Sequence, residues 1–350
     1  MCGILGTLNF KNAADAARIA AMRDTMPYRG PDSNGIWLSD NGFCGLAHLH
    51  LSILDPTPAG HQPRVEESGR FVISYNGEVY NYIEIRAELE QKGYKFETGT
   101  DTEVILQAYV EWGKSCLSRF NGMFAIAIFD NETQELFLAR DRLGIKPVYY
   151  YHDENELIFA SETKAILKGL SDLPELNVEL IDDYMSFGYI PGENTLHKGI
   201  KRLMPGHYAI VKNGQLTATQ WWDLEFNNFE NKGFDYYLNE SKKLLESAID
   251  LRLRSDVPLG IFLSGGIDSS AVVGLLADKV KEPLKTFSIA YDFGKNFDET
   301  QYARMIAENF GTDHHELKIT PQQFADFIPE YIHLMDEPVT EAAAISLFFV

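Results

Sequence analysis

Phe124-Ala-Ile-Ala-Ile-Phe129 and Glu135-Leu-Phe-Leu-Ala-Arg140 are two short apolar segments, separated by the polar residues 130–133. Runs of this length, rich in β-branched and aromatic residues and flanking a turn signal, are typical of two antiparallel strands joined in a hairpin. Tyr208-Ala-Ile-Val211, followed by Asn213-Gly214, predicts a second hairpin for the same reason. These segments predict a first half of the chain that is built mainly of antiparallel sheet.

Two helices are predicted within this sheet-rich half, which extends from Gly35 to about Trp222. Residues 82–92 and 102–112 have helical periodicity, and each run is followed by a glycine, Gly93 or Gly113. A glycine just past the last helical residue is a common C-terminal signal.

The pattern changes after a polar, asparagine-rich stretch, and helices then alternate with buried strands. The predicted elements are helix 237–253, strand 258–263, helix 269–280, strand 285–290 and helix 299–310. This order predicts an α/β domain with a parallel sheet. The fold class is therefore α+β, with antiparallel sheet and helices, followed by an α/β parallel-sheet domain. The predicted limits are 2–222 for the first domain, 223–235 for a linker and 236–350 for the second domain.

The sequence ends at Phe348-Phe349-Val350, within an apolar run. A sheet that has shown only two or three strands has an uncovered edge and an incomplete core. We therefore expect a second domain that is truncated, as part of a longer protein.

The composition excludes several classes of protein. The net charge is -20, which disfavours a nucleic-acid surface because such surfaces carry a basic footprint. No run of eighteen apolar residues and no signal-peptide pattern occurs, so no membrane association is expected and a cytoplasmic location is predicted. Three cysteines without CxxC or Cys/His spacing predict neither a disulfide framework nor a structural zinc site.

Cys2 is a candidate nucleophile because of its position. Removal of Met1 would leave a cysteine that carries the free α-amine of the chain. The thiol can then attack a carbonyl group while the amine, with a reference pKa of about 7.7–8.0, acts as its general base. A cysteine at position two is also often incidental, so this signal needs support from other segments.

Three further segments supply that support. Cys2-Gly3-Ile4-Leu5-Gly6 is followed by Arg29-Gly30-Pro31-Asp32, by Asn76-Gly77-Glu78-Val79-Tyr80-Asn81 and by Gly99-Thr100-Asp101-Thr102-Glu103. In order and spacing they resemble the glutaminase domain of class II amidotransferases, an N-terminal-nucleophile family. The resemblance implies that the antiparallel sheets of the first domain form a sandwich with helices. The resemblance implies a glutamine held beside Cys2 by Asn76, Gly77, Glu78 and Asp101. Residues 29–32 and 139–147 also resemble family segments, but we expect them to be turn and packing elements without a catalytic role.

The implied roles suit the chemistry of these residues. Attack on the glutamine amide places negative charge on its oxygen, and the Asn76 side chain with the Gly77 N–H can donate two hydrogen bonds to it. Asp101 can accept from the substrate ammonium group. Two plainer interpretations remain open: Asn76-Gly77 is also a strong hairpin signal, and Asp101 can cap the helix that follows it.

His50 departs from the family pattern. In the family, an arginine normally precedes Leu-Ser-Ile and binds the glutamine carboxylate, whereas His50 stands there in this sequence. Histidine, with a reference pKa of about 6.5, is a weaker and pH-dependent substitute for an arginine fork. We expect weakened glutamine binding or a partial use of ammonia instead. The plainer alternatives are a compensating basic residue elsewhere and a slipped alignment, in which His50 does not occupy the arginine position.

Ser264-Gly265-Gly266-Ile267-Asp268-Ser269-Ser270 lies between a predicted strand and a predicted helix. Glycines allow close approach of the backbone to a phosphate, and the helix N-terminus favours the anion. The segment lacks the Gly-Lys-Ser/Thr ending of a Walker A loop and resembles the pyrophosphate loop of ATP pyrophosphatases.

The resemblance to ATP pyrophosphatases implies roles for further residues. Phosphate would be held by Ser264, Gly265, Gly266, Ser269 and Ser270. Asp268 would hold Mg²⁺, a cation that prefers carboxylate oxygens. Leu263 and Ile289 match positions that line the adenine pocket, although both are equally typical of core strand residues.

Two more segments resemble the family near this second site. They are Phe297-Asp298-Glu299 and Asp336-Glu337-Pro338. Glu337 is a candidate for acid–base work on the attacking ammonia. A solvent-facing carboxylate before a proline turn is an equally simple interpretation.

Together these motifs resemble the glutamine-hydrolysing asparagine synthetase family, whose members are ATP-dependent carbon–nitrogen ligases. The resemblance implies that ammonia from Cys2 passes inside the protein to an aspartyl-adenylate made from aspartate and ATP. The expected partners are therefore glutamine, ATP and aspartate, with Mg²⁺, and a homodimer is a possible assembly. The alternatives are the same chemistry on another carboxylate and a non-catalytic homologue.

Overall fold

The computed structural model describes residues 1–226, 230–277, 279–280, 282–291, 300–337 and 342–349. The chain divides into two compact units, Met1–Asn228 and Phe229–Val350. Among the described residues, no helix is long and apolar enough to cross a membrane.

The described part of the first unit contains two antiparallel sheets. In spatial order, the strands of the first sheet are β10 (Ile200–Arg202), β8 (Tyr149–His152), β9 (Glu156–Ala160), β1 (Gly3–Asn9), β3 (Cys44–His50) and β2 (Ser33–Leu38). Those of the second sheet are β12 (Gln215–Gln220), β11 (His207–Lys212), β7 (Glu135–Arg140), β6 (Gly122–Asp130), β5 (Phe71–Val79) and β4 (Arg64–Val65).

Helices cover the outer faces of both sheets. α1 (Ala16–Arg23) and α4 (Thr163–Gly169) pack on the first sheet, and α2 (Tyr82–Gln91) and α3 (Asp101–Trp112) pack on the second. α5 (Leu180–Phe187) follows and has no buried residue.

Alternation along the strands produces three apolar layers in this unit. Ile4 and Val72 belong to the core between the two sheets, whereas Leu5 and Ile73 face the helices on either side. The resulting order is helices, sheet, sheet, helices. The predicted α+β sandwich is confirmed.

The local predictions in this unit hold closely. β6 and β7 pair as the predicted hairpin, and β11 pairs with β12 across Asn213 and Gly214, whose φ values are 53° and 72°. Positive φ at both turn residues is what a tight two-residue hairpin requires. α3 begins at Asp101, one residue before the predicted start.

The second unit contains three parallel strands in the described residues. They are β13 (Gly260–Phe262), β14 (Lys285–Tyr291) and β15 (Asp313–Ile319), adjacent in that order. The helices are α6 (Phe234–Arg252), α7 (Ile267–Leu276), α8 (Thr300–Phe310), α9 (Pro321–Leu334) and α10 (Ala342–Phe348). The predicted parallel-sheet α/β fold is therefore confirmed.

Some boundaries differ from the sequence prediction. β13 is shorter than the predicted strand 258–263, and α6 begins at Phe234 rather than at Tyr237. Helix α7 begins earlier than predicted, at Ile267, directly after Gly266. The predicted domain limits 2–222, 223–235 and 236–350 remain a prediction.

Candidate active sites

Cys2 lies at one end of the sandwich, immediately before β1. β1 pairs with β3 in a register that sets Gly3 opposite Leu49, so Cys2 lies beside the end of β3. Leu51 N donates to Cys2 Sγ at 3.4 Å, and Sγ lies 3.6 Å from Leu51 O. Ile4 faces the core between the sheets, and the alternation of β1 directs Cys2 to the same side.

Burial raises the pKa of the Cys2 thiol. A thiol with a raised pKa needs a base before it can act as a nucleophile. In the described chain the free amine belongs to Met1, and burial lowers the pKa of that amine. The terminal amine is therefore suited to accept a proton near neutral pH.

Asn76 and Gly77 lie inside strand β5, so the hairpin interpretation of this dipeptide is wrong. β5 continues to Val79, and Asn76 and Gly77 are opposite Ala125 and Phe124 of β6. A Cβ atom on Gly77 would lie 2.2 Å from the Met123 carbonyl oxygen. The close approach of β6 therefore requires glycine at this position.

Two hydrogen-bond donors of this strand have no partner among the described residues. The Asn76 side chain is buried, and its Nδ2 has no hydrogen-bond partner. Tyr75 N and Val79 N point away from β6, to Gln62 Oε1 and Asp101 Oδ2. Gly77 N lies between them on the same side, free for a ligand, because a strand directs alternate N–H groups to the same edge.

The Asp101 side chain contacts β5 rather than capping its own helix. Oδ2 accepts from Tyr75 Oη at 2.7 Å and from Val79 N at 2.9 Å. The N-cap of α3 is Thr100, whose side chain accepts from Glu103 N. The capping interpretation of Asp101 is therefore wrong.

Asp101, which is buried, and Glu78, which is half-buried, form an acidic pair. Burial raises the pKa of both carboxyl groups, and the charge of Asp101 raises that of Glu78 further. Within the described ranges, neither carboxylate has a basic side chain within 4.0 Å. A cation bound between them would offset this repulsion.

His50 is the last residue of β3 and is buried. Its Nδ1 lies 3.3 Å from Ser52 Oγ, and burial lowers the pKa of the imidazole. A lowered pKa leaves the ring neutral near pH 7, so His50 does not supply the permanent positive charge of an arginine.

The segment from Arg29 to Asp32 packs against the backbone of His50. Asp32 N donates to His50 O at 3.1 Å, and a Cβ atom on Gly30 would lie 2.2 Å from His50 N. The predicted packing role of Gly30 is therefore confirmed by this close approach.

Sequence reasoning missed two cations near Cys2, of which Lys146 is buried and Arg29 is half-buried. Arg29 bonds to Glu162 through Nε, while its Nη1 is buried without a partner among the described residues. Lys146 is buried, and its charge acts on Glu78 and on the amino terminus. The position of this lysine between the apolar residues Ile145 and Pro147 was the sequence signal that could have indicated its burial.

The second candidate site surrounds the glycine-rich loop after β13. Ser264 N lies 3.3 Å from Ser269 Oγ, and Ser270 Oγ donates to Gly266 O at 2.7 Å. Gly265 has φ 78°, and an added Cβ would lie 2.5 Å from Tyr302 Cβ. This loop therefore requires glycine, and it lies at the carboxyl end of a parallel strand, where such sheets bind ligands.

The other predicted residues of this site differ in their exposure to solvent. Asp268 lies exposed in the first turn of α7, whereas Leu263 is buried in the core and Ile289 is partly buried on β14. Glu337 is partly buried, beyond the end of α9. Phe297, Asp298, Glu299 and Pro338 lie outside the described residues.

Comparison with known proteins covers both units. The model of the glutamine amidotransferase domain family matches residues 1–222, and that of the asparagine synthase family matches residues 240–350. A Methanocaldococcus jannaschii protein, provisionally named a glutamine-hydrolysing asparagine synthetase, is 38% identical over 97% of this chain and 68% of its own length.

Two further relatives differ in name. Glutamine-hydrolysing asparagine synthetase 1 of Bacillus subtilis is 36% identical over 100% of this chain and 55% of its own length. A Gibberella zeae protein named amidase chry2 is 35% identical over 85% of this chain and 46% of its own length. The chain thus spans 46% to 68% of the length of these relatives. It belongs to the asparagine synthetase family, with a glutamine amidotransferase domain in its first unit.

Proposed function

We propose that this chain releases ammonia from glutamine at Cys2 and that its second unit uses ATP to activate aspartate, which the ammonia converts to asparagine. The observation that carries the first step is the buried, unpartnered Nδ2 of Asn76, beside the Gly77 N–H that the alternation of β5 directs away from β6. Buried donors left without acceptors are costly unless a ligand supplies the acceptor. A cytoplasmic location fits this role.

The site can hold glutamine by complementary charge. The developing oxyanion receives hydrogen bonds from Asn76 Nδ2 and Gly77 N–H, which strengthen as charge builds up on the oxygen. Glu78 and Asp101 bind the ammonium group, since its positive charge offsets their mutual repulsion. The thiol of Cys2 then attacks the amide carbon.

The second unit supports ATP binding through its loop. The N–H groups at the start of α7 face the position where phosphates would be held by Ser264, Gly265, Gly266, Ser269 and Ser270. Leu263 and Ile289 would line the adenine pocket. Glu337 would assist the attack of ammonia.

Asp268 fits Mg²⁺ as a single ligand. Its exposed carboxylate makes no ion pair among the described residues, and Mg²⁺ is commonly held by one or two carboxylates plus phosphate oxygens. Bound there, the ion would neutralise phosphate charge during adenylate formation.

Removing the Asn76 donor should reduce turnover more than binding. We expect Asn76→Ala to lower kcat for glutamine hydrolysis by about 10²–10³-fold, because the lost hydrogen bond is strongest in the transition state. The rate of glutamate release measures this kcat. Alkylation of Cys2 by a glutamine-analogue electrophile should slow in parallel. Asn155→Ala, at an exposed turn, is the matched control. Unchanged kcat in Asn76→Ala, or no adduct on Cys2 in processed wild-type protein, would count against glutaminase chemistry.

Restoring a permanent cation at position 50 should tighten glutamine binding. His50→Arg is expected to lower KM for glutamine by about tenfold, since a guanidinium binds a carboxylate bidentately while the buried imidazole is neutral. Steady-state kinetics at pH 7 measure the change, with the exposed His333→Arg as control. Tight glutamine use by the wild type with no gain in the variant contradicts the expectation.

Glu78→Gln should stabilise the first unit while weakening substrate binding. The folded-state pKa of Glu78 is raised, so the ionised side chain destabilises the fold as pH rises above the ordinary value of about 4.3. The variant should therefore unfold at higher urea than wild type at pH 8 but not at pH 4, and its KM for glutamine should rise.

Tryptophan fluorescence follows this unfolding within the first unit, because all four tryptophans lie there. The exposed Glu67→Gln is the control. A stability difference that is equal at pH 4 and pH 8 would show that the charge of Glu78 is not the cause.

The identity of the acceptor is tested by ATP–pyrophosphate exchange. We expect exchange that depends on aspartate, and Asp268→Asn should slow it about 10-fold or more because a magnesium ligand is lost. Asp235→Asn is a close control, since Asp235 also lies in the first turn of a helix. Exchange with a different carboxylic acid but not with aspartate would overturn the assignment to asparagine. The relative named as an amidase makes that second outcome worth measuring.

A further inference from the structure

Lys146 is held rigidly in the loop between β7 and β8. The buried carboxylate of Asp141 accepts hydrogen bonds of 2.9–3.1 Å from the backbone N–H groups of Phe124, Leu143, Ile145 and Lys146. This loop is therefore fixed to β6, the strand beside Gly77. The carboxylate of Asp141 therefore accepts its hydrogen bonds from backbone N–H groups and not from the Lys146 ammonium.

The Lys146 ammonium is a buried cation without an anionic partner. The residue is 5% exposed, and Nζ lies 3.1 Å from the Met1 sulfur. A thioether is a weak acceptor, and no carboxylate in the described part of the chain lies within 4.0 Å of Nζ. The burial of Lys146 is therefore not explained by a structural ion pair. Burial of an unpaired ammonium is costly, which favours a functional role.

The surroundings of Lys146 are those of the candidate active site. Burial lowers the pKa of the Lys146 ammonium, and the charged and titratable groups that act on it are Cys2, Glu78, Arg29 and Asp141. Those that act on the amino terminus are Cys2, Arg29, Lys146 and Asp32. Burial and the two cations lower the pKa of the terminal amine, while Cys2 and Asp32 raise it.

We propose that Lys146 is an electrostatic positioning residue for Cys2: its buried ammonium contacts the side chain of Met1, and once Met1 is removed it disfavours a second positive charge at the new amino terminus. The amine of Cys2 then remains free to take the proton of the Cys2 thiol. This inference deepens the proposed glutaminase function and rests on it. The Met1 side chain occupies the space next to Lys146 Nζ, and removal of Met1 therefore opens that space.

The proton balance of the reaction follows from this arrangement. The amine takes the thiol proton as sulfur bonds to the amide carbon of glutamine, and it returns that proton to the departing nitrogen as the carbon–nitrogen bond breaks. Ammonia leaves and a thioester remains. Water then adds to the thioester carbon, the amine again carries the proton, and glutamate and the thiol are released. Lys146 keeps its own proton throughout.

The test compares Lys146→Met, which removes the charge at similar length, with Lys146→Arg, which retains it. The protein is the full chain with Met1 removed. Two pH profiles are measured: kcat/KM for glutamine hydrolysis, and the rate of Cys2 carboxamidomethylation by iodoacetamide, followed by peptide mass spectrometry. In Lys146→Met, both acid limbs should move to higher pH by about one unit, since loss of a nearby cation raises the pKa of an amine and of a thiol. Lys146→Arg should keep the wild-type limbs.

The outcomes separate this inference from the proposed function. An equal loss of rate at every pH in Lys146→Met, or limbs that stay in place, overturns the role of Lys146. Iodoacetamide needs no glutamine site, so a shifted alkylation limb in a chain that hydrolyses no glutamine supports Lys146 while rejecting the glutaminase function. Lys146→Gln is measured as well, in case Lys146→Met does not fold, and the exposed Lys168→Met is the control for loss of a lysine.

Discussion

The pairing of β1 between β3 and β9 is the constraint on which the first site depends. Gly6 of β1 has no room for a side chain, because a Cβ atom there would lie 2.6 Å from the Phe159 ring and 2.7 Å from the Gly45 carbonyl oxygen. This close packing fixes the register that sets Gly3 opposite Leu49. A slip of one residue would turn Cys2 from the space between the sheets to the helix side.

The second sheet completes the site by leaving donors unpaired. β5 carries Asn76 toward the first sheet, and its uncovered edge leaves the Gly77 N–H without a strand partner. The charges of Glu78 and Asp101 act on Cys2, and those of Arg29 and Lys146 act on the adjoining amino terminus.

The second unit relies on a simpler rule. In a parallel sheet each strand is followed by a crossover helix, so the loop after β13 and the start of α7 meet at the carboxyl edge of the sheet. This rule places the backbone of Leu263, and not its side chain, at the loop. The side chain belongs to the apolar core.

The sequence by itself determined the local elements, and it predicted which residues react. Alternation predicted the hairpin of β6 and β7, terminal glycines predicted α2 and α3, and the position of Cys2 predicted a nucleophile. Only the tertiary structure decided that Asn76-Gly77 is strand rather than turn and that Thr100 rather than Asp101 caps α3. It also brought Lys146 to the amino terminus. Periodicity in the sequence depends on residues that are close along the chain. Burial and unpaired hydrogen-bond donors depend instead on strand register and on packing between segments that are distant in sequence.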